Sequence, residues 1–286
     1  MTQDAVRPGG IDPMGMRPPG MRPQGMRLRF LGTGTSFGVP QIGCPCAVCH
    51  SSDPRDKRSR CGAYIETADG TRLLIDTPPE LRLQLVAAGV TDVDAVLFTH
   101  EHADHIHGID DLRAFTMRRK GTLPLFGAAE TLKTLRERFP YIVNRELVPV
   151  PGTTRPEGHL MIVEPGVAFS VRDTTVLPIA VPHGRTPVMA YRVGDVGYVT
   201  DAKSLPEAAR AALAGVRVLV LNALLRAAHP THLSIAEAVR VALDIGAEST
   251  YLTHLTHDNF HADLAAELPA GISPAYDGLE VMIAPN

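Results

Sequence analysis

Three histidines and an aspartate, His100, His102, Asp104 and His105, lie within the six residues His100-Glu101-His102-Ala103-Asp104-His105. Imidazole nitrogens and carboxylate oxygens are the donors that hold zinc, manganese or iron, and ions so held can activate water and polarise an ester. Along an extended turn, alternation puts His100 and His102 on one side, and Asp104 with His105 then falls at the start of a helix. That geometry can serve two adjacent metals. Chance is a poor account of it: residues 100–107 contain four of the 12 histidines, where an even spread over 286 residues gives 8 × 12/286, about a third of one.

A second cluster, Cys44-Pro45-Cys46-Ala47-Val48-Cys49, carries three of the four cysteines. Thiolates this close suit a tetrahedral structural zinc, which takes a fourth ligand. His50 and Cys61 are local candidates for that place, and His257 is a distant one.

Both clusters need elements to position them. Leu28–Leu31 reads as a short apolar strand running into Gly32-Thr33-Gly34. Residues 63–67 and 72–76 read as a hairpin turning at Ala68-Asp69-Gly70. Pro78-Pro79 opens a helical stretch to Ala88, closed by Gly89. Residues 95–98 read as a buried strand whose end meets the histidine cluster, and a helix is expected around 128–139. In the second half, strands are expected at 175–181, 188–193 and 196–200, with Asp201 just beyond the last. A helix over 205–213, a strand over 216–221 and an amphipathic helix from Ser234 to Ile245 follow, the last capped by Ser234 and ended by Gly246. A strand at 250–253 leads to His254. Polar, metal-capable residues thus recur at the C-terminal ends of strands, where layered α/β folds build their sites. Two halves, each a mixed sheet with helices outside, predict an α/β (α+β) four-layered αββα sandwich. No linker divides residues 27–286, which are expected to form one domain with the cysteine knuckle at 44–49.

Composition narrows the class. The chain is 44% hydrophobic and 21% charged with a net charge of −3, which excludes a disordered protein, a collagen-like repeat and a disulfide-dense miniprotein. The near-neutral charge argues against gripping long nucleic acid through a basic face. The longest apolar run, near residues 216–221, falls far short of the roughly 20 residues of a membrane helix. Residues 1–26 repeat Gly15-Met16-Arg17, Gly20-Met21-Arg22 and Gly25-Met26-Arg27 between prolines; such a tract cannot bury a core and is expected to be a disordered extension, either a basic tether or dispensable. It lacks a secretory apolar region, and with clustered thiols the expectation is a reducing, cytoplasmic location.

The run HxHxDH, as His100, His102, Asp104 and His105, resembles the signature of the metallo-β-lactamase-fold hydrolases. That resemblance implies three further ligands at strand ends, and His183, Asp201 and His254 match them in order and context. It places His100, His102 and His183 on one metal, and Asp104, His105 and His254 on a second, with Asp201 bridging. An aspartate in the bridging place is similar to the phosphodiesterase and glyoxalase branches. Asp76 matches a residue of the family that braces the site from behind.

The stretch from Gly32-Thr33-Gly34 through Val39-Pro40-Gln41 to Cys49 narrows the resemblance to the carbon–phosphorus lyase accessory phosphodiesterase family, which opens phosphoribosyl 1,2-cyclic phosphate. There, three such cysteines and a His just past the last active-site His hold a structural zinc; Leu252-Thr253-His254-Leu255-Thr256-His257 matches, which favours His257 as fourth ligand. A pyrroloquinoline quinone accessory family shares the knuckle, but this chain carries the fuller metal set. The resemblance also implies a catalytic His before a helix opening in Ser or Thr. His232 fits that place better than His229, and would protonate the leaving oxygen or stabilise its charge. Asp104 and Asp201 would fix the metals and orient water.

The expectation is therefore a phosphodiesterase with two active-site zinc or manganese ions and one structural zinc, acting on a small, cyclic phosphodiester. Neither a stable nucleic-acid partner nor a membrane is expected. The family is often dimeric, so a homodimer is the corresponding expectation. The alternatives are a transfer-RNA 3′-processing endoribonuclease and a non-catalytic metal-binding accessory protein. His50, His107, His159, His229 and His261 receive no role. Arg113, Arg118, Arg119 and Lys120 could lean over the site toward a phosphate or form a solvated helix face.

Overall fold

In Leu73-Leu74-Ile75, successive side chains leave opposite faces of a strand, so Leu73 and Ile75 enter one buried cluster while Leu74 enters another. The same alternation sends Val218 and Val220 to the first cluster and Leu219 and Leu221 to a third. Each such side chain stabilises the fold by roughly 1.5–3 kcal/mol when fully buried. Repeated along both halves, the pattern yields four layers: helices, sheet, sheet, helices.

The computed structural model describes residues 25–285 apart from 145, 148 and 149. The expected extension at 1–26 therefore lies, up to residue 24, outside the described residues. The strands in chain order are β1 (Met26–Gly32), β2 (Gly62–Glu66), β3 (Arg72–Ile75), β4 (Ala95–Leu97), β5 (Leu123–Gly127), β6 (Gly158–Ile162) and β7 (Phe169–Val171). They continue as β8 (Thr174–His183), β9 (Thr186–Val193), β10 (Val196–Val199), β11 (Val218–Asn222), β12 (Ser249–Thr253), β13 (Ile272–Pro274) and β14 (Glu280–Ile283). Among the described residues one sheet runs β14-β1-β2-β3-β4-β5-β6 and the other β13-β12-β11-β10-β9-β8-β7. Each is mixed in the same way. Pairing is antiparallel from β14 to β3 and parallel from β3 to β6. In the second sheet it is antiparallel from β7 to β10 and parallel from β10 to β13.

The helices are α1 (Leu81–Ala87), α2 (Ala103–Ile106), α3 (Arg113–Arg119), α4 (Ala129–Arg138), α5 (Pro140–Val143), α6 (Glu207–Leu213), α7 (Ile235–Ile245) and α8 (His261–Glu267). Leu81, Leu85, Phe115 and Leu132 close the outer face of the first sheet, and Ala209, Leu213, Ala238, Val241 and Leu264 that of the second. A capping box fixes the start of α7: Ser234 accepts from the Glu237 amide while Glu237 accepts from the Ser234 amide. Gly246 ends it at φ 70°. No helix among the described residues is long and apolar enough to cross a membrane.

Two helix starts fall later than the sequence suggests. Pro78-Pro79 precede α1 rather than opening it, because Thr77 is held in the site loop by the His105 carbonyl, and the chain turns helical only after Glu80. Helix α6 likewise begins after Pro206, since the residue before a proline is driven to extended backbone.

Candidate metal centre

Strands of both sheets deliver their polar C-terminal ends to one rim of the sandwich. Asp76 follows β3, His100 follows β4, His183 ends β8, Asp201 follows β10 and His254 follows β12. Asp76, Asp201 and His254 all have left-handed backbone, at φ 61°, 57° and 59°. Left-handed backbone at a non-glycine residue costs of order 1–3 kcal/mol and persists where the surroundings over-determine it. Here the surroundings are hydrogen bonds. The Tyr191 hydroxyl donates to the Phe98 carbonyl (2.7 Å) and the Met189 amide to the Thr99 carbonyl (2.9 Å), pinning the end of β4 to the opposite sheet. Behind Asp201, Asn222 accepts from the Ala202 amide (2.8 Å) and donates to the Ala202 carbonyl (3.0 Å).

The imidazoles are oriented from behind. Buried Asp76 accepts from the Thr99 amide (2.8 Å), the Thr99 hydroxyl (2.8 Å) and His105 Nδ1 (2.7 Å). That contact leaves His105 Nε2 facing inward, 3.4 Å from both Asp104 Oδ2 and Asp201 Oδ2. His183 Nδ1 donates to the Thr231 carbonyl at 3.1 Å, which frees its Nε2. His100 Nε2 lies 2.9 Å from His102 Nδ1. His254 Nε2 lies 3.1 Å from Asp201 Oδ1.

Three overlapping donor sets result: His100, His102 and His183; His100, His105 and Asp201; and Asp104, His105 and His254, each with donor atoms within 4.8 Å of one another. The structure thus brings together all seven residues predicted for the dinuclear site, with Asp201 between the two outer sets. A fourth set, His183, Asp201 and His232, adds His232 to the same centre.

The buried carboxylates and imidazoles of this centre perturb one another strongly. Burial pushes Asp201 upward, but His254, His105 and His232 hold its carboxyl well below the usual carboxylate range. Burial would pull His105 down, yet Asp201 and Asp76 hold it well above the ordinary imidazole range. Burial draws His100 well below it, and lowers His102 and His232 too. The residues fit metal ions on a further count. His254 Nδ1 is buried without a hydrogen-bond partner among the described residues, and His105 Nε2 and His254 Nε2 face carboxylate oxygens at 3.4 and 3.1 Å without hydrogen-bond geometry to them. Buried imidazole nitrogens rarely go unpaired, and lone pairs aimed at a carboxylate-lined centre suit a cation.

The cysteines form a separate site. Sγ of Cys44, Cys46 and Cys49 lie 3.2, 3.3 and 3.5 Å from His257 Nδ1. The Cys49 amide donates to Cys46 Sγ and pulls that thiol down to about 6, while burial pushes Cys49 up to about 11. Donor type and convergence fit a zinc knuckle. The other two candidates are occupied elsewhere: His50 Nδ1 meets the Cys46 carbonyl at 3.1 Å, and buried Cys61 lies 3.4 Å from the Thr253 hydroxyl.

His100, His102, Asp104, His183, Asp201 and His254 floor an open cleft of about 530 Å³, lined also by Thr35, Ser36, Phe37, Arg185, Leu224 and His229. His232 stands on its wall, with Nε2 3.0 Å from Asp201 Oδ1 and Nδ1 2.9 Å from the Thr231 hydroxyl. His229 Nδ1 lies 3.2 Å from His232 Nδ1. The basic residues after α2 do not reach the cleft: Arg113 pairs with Asp110, Arg119 with Asp92, and Arg118 donates to the Thr91 carbonyl. His107 packs edge-on against Phe139, and His261 against Tyr276.

Sequence reasoning overlooked Asn222, Tyr191 and Arg185. Asn222 carried a usable signal, since it too is polar and ends a strand. Tyr191 carried none, because its hydroxyl acts on a backbone carbonyl of the other sheet.

A family model for the β-lactamase superfamily domain matches residues 71–255. The chain is similar to an octanoyltransferase of Porphyromonas gingivalis, with 41% identity over 258 residues, 88% of this chain and 51% of that protein. It therefore spans about half the length of that relative. Among solved structures, it is similar to a diphosphatase of the PhnP family, with 38% identity, a TM-score of 0.82, and coverage of 90% of this chain and 98% of the other. Zinc-bound PqqB from Methylobacterium extorquens shares the fold at 16% identity and a TM-score of 0.72, over 90% of this chain and 100% of that one.

Proposed function

Because this chain belongs to the β-lactamase superfamily, we propose that it is a metal-dependent hydrolase, a dinuclear phosphodiesterase opening a small, cyclic phosphodiester such as phosphoribosyl 1,2-cyclic phosphate. The observation that carries the reading is the convergence of five histidines and two aspartates at one small-molecule-sized cleft, with all but the buried His105 lining it. Divalent zinc or manganese held there would activate water and polarise the phosphoryl oxygens.

The chain's own residues do the rest. His100, His102 and His183 would hold one ion, and Asp104, His105 and His254 the other, with Asp201 shared. Asp76 keeps His105 Nε2 turned toward the centre, and the Thr231 carbonyl does the same for His183. His232, on the cleft wall beside Asp201, would protonate the leaving ester oxygen or stabilise its charge. Cys44, Cys46, Cys49 and His257 would hold a structural zinc that fastens the loop carrying Phe37 beside the cleft. In this reading the protein is cytoplasmic and has no stable nucleic-acid partner.

Similarity to a diphosphatase supports phosphoryl chemistry. The acyl-transfer activity in the other relative's name is not carried over, because half of that protein has no counterpart here. The test is a panel: five-membered cyclic phosphates, acyclic diesters, a diphosphate diester, an octanoyl thiolester and precursor transfer RNA, each with metal-loaded protein. The reading expects the cyclic phosphate to give the highest kcat/KM. Cleavage confined to the thiolester or the RNA contradicts it.

A further inference from the structure

The cleft lining carries three carboxylates, Glu101, Asp104 and Asp201, but only one arginine or lysine, Arg185. Glu101 already accepts from the Thr131 hydroxyl (3.1 Å), and the two aspartates belong to the metal-binding cluster. Arg185 has no hydrogen bond or ion pair among the described residues. The contrast with the chain's other arginines is informative, since Arg113, Arg119, Arg210, Arg217 and Arg226 each meet a carboxylate.

Its mounting is firm although its head is exposed. Gly184-Arg185 make the two-residue turn between β8 and β9, where His183 pairs with Thr186. Gly184 is left-handed at φ 57°, and a Cβ there would meet the Thr231 methyl at 3.2 Å. The turn therefore packs on the loop that carries His232, and the His183–Thr231 hydrogen bond ties the two together. A guanidinium on such a turn has a defined origin relative to the phosphodiester position, and its planar fork matches a phosphate.

We infer that Arg185 is a specificity-determining residue that takes a second anionic group of the substrate, a phosphate monoester, while the diester lies over the metal-binding residues. The inference rests on the phosphodiester reading. Bound metals would neutralise the two aspartates and Glu101 is turned to Thr131, which leaves Arg185 at the rim as the cation of the cleft that pairs with no carboxylate among the described residues. A substrate with a single diester would leave that cation without a partner.

The test compares ribose 1,2-cyclic phosphate with its 5-phosphorylated counterpart on metal-loaded wild type, Arg185→Gln and Arg185→Lys. Wild type is expected to prefer the phosphorylated substrate by about 10–100-fold in kcat/KM, the worth of a charge-assisted pair. Arg185→Gln should collapse that preference by raising KM for the phosphorylated substrate, and Arg185→Lys should restore part of it. An unchanged preference in Arg185→Gln overturns the assignment. Calorimetry of ribose 5-phosphate with wild type and Arg185→Gln gives an independent arm, with binding expected to weaken about tenfold or more; equal affinities also overturn it. Wild type that turns over neither substrate defeats the phosphodiester reading instead, and calorimetry then decides the role of Arg185.

Discussion

Asp76→Asn isolates the orientation of one imidazole from the presence of the metals. The carboxylate accepts three hydrogen bonds, two from Thr99 and one from His105 Nδ1. An asparagine of the same shape keeps its carbonyl for the Thr99 amide, and its NH2 can donate to the Thr99 hydroxyl. Toward His105, however, it turns a donor at a ring nitrogen that must itself donate. The tautomer with the proton on Nε2 is then favoured, and Nε2 ceases to be a ligand. One charge-assisted bond is lost, about 1.5–3 kcal/mol of stability, while the fold keeps the other two. Loss of a residue that orients a ligand costs about 10–100-fold in metal affinity, which is about 1.4–2.7 kcal/mol. Competition titration against a chromophoric chelator reads this directly, with unfolding followed on the apo protein. The expected result is one active-site ion weakened by that factor, the other changed less, and the knuckle ion unchanged. Equal weakening of all ions, or none, would refute the orientation argument.

Cys46→Ser should remove about one zinc per chain and much stability while the cleft ions survive; a loss of two or more in metal analysis would show that the sites are not separate. Asn222→Leu leaves the Ala202 amide and carbonyl unpaired in a buried place, at about 1–3 kcal/mol each, so thermal unfolding should show a loss of about 2–6 kcal/mol and turnover should fall. A variant with wild-type stability would mean the Asp201 turn needs no such brace. The third case concerns pH. Burial raises Asp69, but hydrogen bonds from Thr71, Thr67 and Thr174 bring it down to about 2. A depressed carboxylate contributes stability above its unfolded value, near 3.9, and loses it as pH falls through the folded value. Asp69→Asn should therefore be less stable than wild type at neutral pH, with the gap closing between about pH 4 and pH 2. A gap independent of pH in denaturant titrations would contradict this assignment.

What the sequence made legible were features carried by local chemistry. Turn residues such as Asp69-Gly70 and Gly194, and alternation in β3 and β11, mark the inner strands. The polar residues ending β4, β8, β10 and β12 mark the rim. Strands β5, β6, β7, β13 and β14 escaped; the last two are short edges, Ile272–Pro274 and Glu280–Ile283, that become strands by pairing with β12 and β1, the latter some 250 residues away in sequence. The knuckle's fourth ligand was open for the same reason. Nothing local separates His50, Cys61 and His257; folding alone brings His257 Nδ1 to the thiols while turning His50 to a carbonyl. The arginines after α2 looked equally free in sequence until Asp92 and Asp110 claimed them.

Phosphorus NMR of phosphoribosyl 1,2-cyclic phosphate incubated with zinc- or manganese-loaded protein tests the central claim most directly. The account predicts conversion of the cyclic diester signal into a monoester signal, abolished by chelation and slowed about 10²–10⁴-fold in a His232→Ala protein that retains its metals. A cyclic phosphate left intact by fully loaded wild type, or opened equally fast without His232, would contradict it.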